Sequence, residues 1–410
     1  MIFDKSTLKS FWKFSVFTGV VIVTIFVFEN INGRFWLNDF KVYYLAAKAL
    51  LTGQQVYEIP FGLSSGFYKY SPSTLFFIFP YCLVPFEIAR IVHFFILALI
   101  IISVFFVIRD VIKNYLFDFE LQSENLLMSF AFICVLIHFV KELHLGNINV
   151  ALLLLLCLSL YAILKSRFIL AGILFALVVL TKPFFLILLL PMIFRKKWKT
   201  LVSLGVTMIL AGLIPALFFG FSKNILLHTE WVRTMFEHNA NYPGHNGIQY
   251  LIQFYINPNV PNAFQYLIIA GGGLFYLVLH YFNRSFEKKN GNTERVMKAG
   301  LVMEWYLLIA ILPNLVKTDS EHFLCSLPLI MLIIYYLSVN RQIILISLFV
   351  ILIFFYGANS TDLLGAELSD KLFSMGLIGI SNLFIISLAV IIYYKDIRQW
   401  LIKIPPNFSS

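Results

Sequence analysis

The sequence predicts an all-α protein that crosses a membrane many times, and three observations carry that prediction. Of 410 residues, 60% are hydrophobic and 13% charged, where soluble domains carry roughly 25% charged residues. The apolar residues, with a mean hydropathy of +0.86, gather in runs of the length that crosses a bilayer, about 20 residues for a helix. Most Lys and Arg residues sit in short clusters between those runs, the pattern of cytoplasmic loops. That placement explains the net charge of +10 without nucleic acid as a partner. Cys82, Cys134, Cys157 and Cys325 all lie inside apolar runs, where thiols behave as small hydrophobes and indicate neither disulfides nor zinc.

In chain order, the first run covers about Phe11 to Phe28. It is introduced by Lys5, Lys9 and Lys13 and followed by no small-residue cleavage site, so it reads as a retained helix with its N-terminus inside. The polar loop 30–71 then lies on the outer face. The second run, Ser73 to Phe86, is short and holds Pro80 and Pro85; the third is Ile88 to Ile108, ahead of an acidic connection with Asp110, Asp118, Glu120 and Glu124. The fourth and fifth are Leu126 to Val140 and Val150 to Leu164. The sixth, Phe168 to Phe194, is interrupted at Thr181-Lys182-Pro183 and ends on Arg195-Lys196-Lys197-Trp198-Lys199, the densest basic cluster, which belongs inside.

The seventh run, Leu201 to Phe219, leads outward into a second long polar loop, 221–261, and the eighth, Ala263 to Phe282, returns to a basic connection. The ninth, Gly300 to Leu312, delivers Asn314 to His322 to the outer side. Three more alternate through Asn340-Arg341 and an acidic outer loop with Asp362, Glu367 and Asp370, ending at Lys395, Arg398 and Lys403. The expectation is about 12 transmembrane helices with both termini inside. Lys165 and Arg167 fall on the outer side in this count. A re-entrant break at Lys182-Pro183 would correct that, because proline removes a backbone donor that protein or water must compensate. No inverted repeat relates the two halves, which weighs against a secondary transporter.

Loops 30–71, 221–261 and 314–322 therefore share the outer face, and polar residues near lipid usually mark function. In 38–52, Phe40, Tyr43, Tyr44, Ala47, Leu50 and Leu51 recur at helical spacing, with Lys41 and Lys48 off that stripe. Asp39 at the head of this helix has two readings. It caps the helix and complements its dipole, or it is a general base whose carboxylate gains basicity where water is excluded.

The string from Asp39 to Tyr57, D-F-x-x-Y-Y-x-A-A-x-A-L-L-x-G-x-x-x-Y, followed by Tyr68-Lys69-Tyr70-Ser71-Pro72 and a proline-containing apolar run, resembles glycosyltransferase family 87. That group includes polyprenol-phosphate-mannose-dependent mannosyltransferases. Leu145-Gly146-Asn147-Ile148-Asn149 is similar to the family's G-Q-x-N, with Asn147 where Gln is usual. Ala171-Gly172 with Leu180-Thr181-Lys182-Pro183 is similar to its A-G…L-K-P. His245-Asn246-Gly247-Ile248-Gln249 is a looser counterpart of an Asn-Gln-Ser type element, and Ser320-Glu321-His322-Phe323 with Pro328 resembles the late outer-loop motif.

The resemblance implies a glycosyltransferase C type fold in one integral domain, 1–410. Residues 1–220 would form the module that carries loop 30–71, 221–261 the second outer loop, and 262–410 the C-terminal helices. It also implies an inverting, metal-independent transfer from a polyprenyl-phosphate-sugar donor to a glycolipid or glycan acceptor. The setting would be the outer face of a bacterial cell membrane, with membrane lipids as further partners and no cofactor. The alternatives are a lipid-diphosphate-linked glycan ligase of the same superfamily, and a lipid or polysaccharide transporter.

Within that scheme Asp39 is the candidate base. His322 is a second candidate catalytic group, for phosphate binding or proton transfer. Lys69, Lys182 and Arg233 are candidates for the donor phosphate; Lys69 and Arg233 read equally as interface residues, and Lys182 as support for the helix break. Tyr70, His245, Asn246, Gln249 and Asn147 are candidate substrate contacts. Tyr57, Tyr68 and Tyr70 also suit an interfacial aromatic belt, and a loop rich in Asn, Gly and Pro needs polar residues for its turns alone. His138 and His144 read as structural. Asp39 and Glu58 are the only acids of the first loop, whereas Glu230, Glu237, Asp319 and Glu321 on the other loops leave a divalent ion open.

Overall fold

The computed structural model describes residues 12–61, 66–117, 123–241 and 244–403, and Lys5, Lys9, Asp118 and Glu120 lie outside them. The described residues form helices and connecting turns, without strands. The amino-terminal part comprises α1 (Trp12–Ile31), α2 (Asn38–Leu51), α3 (Phe86–Tyr115), α4 (Glu124–Cys134), α5 (Leu136–Leu145), α6 (Asn149–Leu164), α7 (Phe168–Thr181) and α8 (Leu189–Phe194). Then come α9 (Trp198–Phe219), α10 (Phe221–Asn241), α11 (Ile248–Tyr255), α12 (Phe264–Lys289), α13 (Glu294–Leu315), α14 (Leu327–Val339) and α15 (Ile343–Gly357). The last described helices are α16 (Thr361–Leu364), α17 (Ala366–Ser374), α18 (Leu377–Ile392) and α19 (Arg398–Lys403).

Among the described residues seven helices are long and apolar enough to cross a membrane, or eight if α4 and α5, bent by 63°, make one span. Four shorter apolar helices accompany them. Two departures from the expected twelve have a common cause. The second expected span is a pair of 3-10 turns, Pro72–Phe77 and Phe79–Leu83, because Pro72, Pro80 and Pro85 deny a continuous ladder its donors. The sixth is divided: α7 stops at Thr181, Pro183 opens a 3-10 turn over Pro183–Leu188, and α8 follows.

α13 and the segment Ser320–Val339 are buried along nearly their whole length and form the axis of the bundle, whereas α1, α9 and α12 are mostly exposed. The outward faces of those three are apolar, as lipid requires. α2 is buried on most sides, by Phe40, Tyr43, Tyr44, Ala47 and Leu50, so it is an internal helix rather than one lying on a surface.

The bundle has two chemically different ends. At one, residues 37–40, 68–71, 146–150, 180–184 and 319–323 meet. Towards the other, Arg195 binds Glu287 and Glu304, Lys197 lies 5.5 Å over the Phe168 ring and Lys298 lies 5.7 Å over that of Tyr115.

Candidate active site

The first side of the site is the start of α2. Its N-cap, Leu37, adopts φ 47°, ψ 56°, a left-handed conformation that costs a branched residue energy, and its complete burial holds it there. No side chain caps this end, so the capping reading of Asp39 is corrected. Asp39 lies within the first turn, and its Oδ2 accepts a 2.7 Å hydrogen bond from Nδ2 of Asn147. The other end of that amide is fixed: Asn147 Oδ1 accepts from the Ile148 N–H at 2.7 Å and from the Tyr43 hydroxyl at 3.4 Å. Gly146 makes the approach possible. It terminates α5 at φ +66°, and a Cβ there would stand 2.8 Å from Phe40 Cβ and 3.0 Å from Leu37 Cβ.

The second side is the break after α7. Pro183 restricts the residue before it, and Lys182 takes an extended conformation that ends the helix. The buried Lys182 ammonium donates to Asn149 Oδ1 at 2.5 Å and to His322 Nε2 at 2.6 Å, and lies 5.8 Å over the Tyr70 ring. Because His322 Nε2 accepts, the ring proton belongs on Nδ1, which faces the Asp319 carbonyl at 3.3 Å. Asn149 donates in turn to Glu142 Oε2 at 3.0 Å, while Glu142 Oε1 accepts from the Val150 N–H at 2.8 Å, where α6 begins. A fully buried carboxylate thus orients an amide that orients a lysine.

The first loop closes over both sides. The Ser71 N–H bonds the Leu180 carbonyl at 3.1 Å. The Tyr57 hydroxyl donates to the Tyr70 carbonyl at 2.8 Å, the Tyr43 and Tyr70 hydroxyls stand 3.0 Å apart, and Trp231 of α10 donates to the Lys69 carbonyl at 3.1 Å. Lys69 and Tyr70 are therefore held by backbone and ring contacts at the site.

Electrostatics separates charge within this space. Asp39 keeps part of its side chain accessible, yet burial pushes its carboxyl up to about 6, with Glu321 and then Asp319 adding to the rise, and Lys182 and Lys69 opposing it. Burial lowers the Lys69 ammonium, against the pull of Asp319 and Asp39. Neither Asp39 nor Lys182 has an ion-pair partner among the described residues. A partly buried carboxylate and a buried amine thus share one site without forming an ion pair.

Asp39, Lys69, Tyr70, Asn147, Lys182 and His322 thus converge. Arg233 does not join them: it is 57% exposed and pairs with Glu58 at 2.6 Å. Asn246 is buried against the C-terminal helices, where its Oδ1 accepts from the Gly379 N–H at 3.3 Å and its carbonyl from Asn314 at 3.3 Å. Gln249 donates to the Pro261 carbonyl at 3.3 Å, and the His245 ring packs on Tyr250 and Phe373. Tyr57 and Tyr68 are buried within the loop rather than arrayed along an interface. His138 bonds the Tyr356 carbonyl at 3.0 Å and His144 lies 2.9 Å from Glu29.

Asp319, Glu321 and His322 offer ligand atoms within 4.8 Å of one another, a spacing that suits a cation. The Lys182 ammonium already stands on His322 Nε2, so a divalent ion there would meet a resident positive charge. Sequence reasoning assigned no site role to Glu142, to Asn149, named only within the G-Q-x-N counterpart, or to Tyr43. Glu142 had a usable signal, a carboxylate in a short helix between apolar runs, where charge is costly unless it has a task; Tyr43 was hidden in an apolar stripe.

Against curated protein sequences the chain has no match. The model of glycosyltransferase family 87 matches residues 67–311, more than half of the 410 residues, and takes in Lys69, Asn147, Glu142 and Lys182 while leaving Asp39 and His322 on either side of it. With a multi-helical membrane architecture and that match, the chain belongs to glycosyltransferase family 87 and is a membrane glycosyltransferase.

Proposed function

We propose that this chain moves a sugar, mannose or another hexose or pentose, from a polyprenyl-phosphate donor to a hydroxyl of a glycolipid or glycan, with inversion. The observation that carries the reading is a carboxylate of raised basicity, Asp39, in the same site as a buried amine, Lys182, that has no carboxylate bonded to it among the described residues. Asp39, held by Asn147, takes the proton of the acceptor hydroxyl as its oxygen attacks the anomeric carbon. The bond from that carbon to the phosphate oxygen breaks, and the polyprenyl phosphate leaves as an anion. Lys69 and Lys182 hold the phosphate before and after the step, and His322, fixed by Lys182, lines the same position. Phosphate is a good leaving group, so no general acid is required. Tyr70 supplies a ring face at the site for the sugar. Arg233 stays at the rim with Glu58, and His245, Asn246 and Gln249 shape the outer-loop base without touching substrate.

The same reading orients the chain. If the 3-10 turns over 72–83 stay on one side and α4 with α5 crosses once, residues 38, 146, 182 and 319 share a side. Lys165 and Arg167 then join Arg195 to Lys199 on the opposite side, and the basic loops fall inside together. The site would thus open to the outer face of a bacterial cell membrane.

The deciding experiment uses membranes containing the full chain and radiolabelled polyprenyl-phosphate sugars. Asp39→Asn keeps the Asn147 contact but removes the base, and transfer is expected to fall about 10²- to 10⁴-fold. Undiminished transfer by a folded variant would remove Asp39 from the mechanism. Transfer by the parent only from diphosphate-linked donors would favour the glycan ligase reading instead.

A further inference from the structure

We propose a second binding site at the end of the molecule away from the candidate active site: a pocket between α7 and α9 that takes the headgroup of an anionic membrane phospholipid. The cavity, about 540 Å³, is lined by Ser166, Arg167, Phe168, Ile169, Leu170, Ile173 and Lys199. Its wall is therefore divided, with two cations at the mouth and an apolar floor below them. Arg167 and Lys199 are exposed and pair with no carboxylate among the described residues. Nearby Arg195 behaves differently, its guanidinium being committed to Glu287 and Glu304.

Packing brings the two cationic turns side by side. Gly172 lets α7 lie directly on α9, since a Cβ there would stand 2.6 Å from Ser203 Cβ. Ser203 donates to the Ile169 carbonyl at 2.8 Å, and Lys197 covers the Phe168 ring at 5.5 Å. Both turns pass through a left-handed non-glycine residue, Ser166 at φ 58° and Lys196 at φ 55°. Their sequences also oppose local helix preference. α7 starts after Arg167 and α9 after Lys197, with no acidic residue in either first turn. A cation at the positive end of a helix is unfavourable by a few tenths to about 1 kcal/mol, and an external anion would reverse that sign.

The floor decides which anion. Ile169, Leu170 and Ile173 are 69%, 41% and 39% exposed along α7, and Trp198 is 56% exposed beside the mouth, an aromatic ring at the level where headgroups lie. A free phosphate has no use for an apolar floor. A phospholipid uses both parts, its phosphate between Arg167 and Lys199 and its acyl chains along α7. This site stands whether or not the transfer reaction proposed above is correct.

The test is lipid retention by the purified full chain in neutral detergent, measured by native mass spectrometry with dioleoyl phosphatidylglycerol and dioleoyl phosphatidylcholine. The parent is expected to retain phosphatidylglycerol preferentially. Retention should weaken about five-fold for Arg167→Gln or Lys199→Gln and about thirty-fold for both together. The control Lys288→Gln with Lys289→Gln removes two exposed charges from another basic turn and should change nothing. Equal loss in that control would mean diffuse attraction and would overturn the site, as would equal retention of the two lipids. Displacement of phosphatidylglycerol by millimolar inorganic phosphate would make it a free-anion site and overturn the lipid assignment. A second readout on the unaltered protein guards against misfolded variants: phosphatidylglycerol should protect Lys199 from acylation and leave Lys288 reactive, and protection of neither would refute the proposal.

Discussion

Two buried charge networks in this bundle are built from similar residues and end in opposite states. Around Arg195 every charge is answered. Its guanidinium donates to both oxygens of Glu304 at 2.7 and 2.6 Å and to Glu287 at 2.9 Å, while His280 and Asn283 also reach Glu304, and Arg284 reaches Glu287. Among the described residues the nearest partners of Lys182 are neutral, Asn149 and His322, and the carboxylate of Asp39 is tied only to an amide. A planar fork can complete a network by itself, whereas the Lys182 amine, held by neutral acceptors, has no carboxylate bonded to it among the described residues. Closure marks a structural element, and under the reaction proposed above the open charge balance is where a charged substrate would complete the set.

The comparison can be broken most directly at its two centres. Removing the proposed base by Asp39→Asn carries the largest expected effect, the two to four orders of magnitude in transfer given above, with thermal unfolding in detergent little changed. Arg195→Met should do the reverse. It takes the shared guanidinium from two buried carboxylates and leaves Glu287 with Arg284 and Glu304 with His280 and Asn283, a loss of about 3 kcal/mol in stability, read as a lower unfolding temperature, while the surviving folded fraction keeps near-parental specific activity. If Arg195→Met abolished transfer in folded protein, the division into structural and substrate-completed networks would fail.

The pH profile sharpens the comparison further. With the Asp39 carboxyl near 6, kcat/KM should rise with pH through about 6 and level off above it, because the base acts only when deprotonated. Glu321 raises that value and Lys69 lowers it. Glu321→Gln should therefore move the acidic limb to lower pH, and Lys69→Gln should move it to higher pH. Opposite or absent movements would show that another group sets the limb. The smallest expected effect is that of a chelator. Under the metal-independent reading, transfer survives EDTA, whereas loss restored by a divalent ion would assign Asp319, Glu321 and His322 as its ligands.

Much of this was legible before the fold was seen, for physical reasons that differ by residue. Asp39 stood out at the head of an amphipathic helix within a motif that resembles the family's, Lys182 because charge inside an apolar run is expensive, and proline at 183 marked the break at which the buried Lys182 sits. Composition sufficed for a helical membrane protein, but not for the number of crossings, since Ser73 to Phe86 is apolar enough to be read as a span and only its prolines turn it into 3-10 turns. Arg233 and Asn246 looked as eligible as Lys69 in the sequence. Their partners, Glu58 and Gly379, lie 175 and 133 residues away, and pairing at that distance leaves no local trace. The orienting path from Glu142 through Asn149 was similarly hidden, because it exists only once the turn at Gly146 has brought α5 and α6 together.

That turn has a mechanical meaning. The missing Cβ of Gly146 is the clearance between the helix that carries the carboxylate and the loop that carries the amide holding it. A methyl group inserted there would act as a wedge, prising α2 from the 145–149 segment. Because Asn147 is the next residue, the wedge would act almost directly on a 2.7 Å bond. The precision of the proposed base is thus set by a gap in the packing, and its mechanical tolerance is less than the size of one carbon atom.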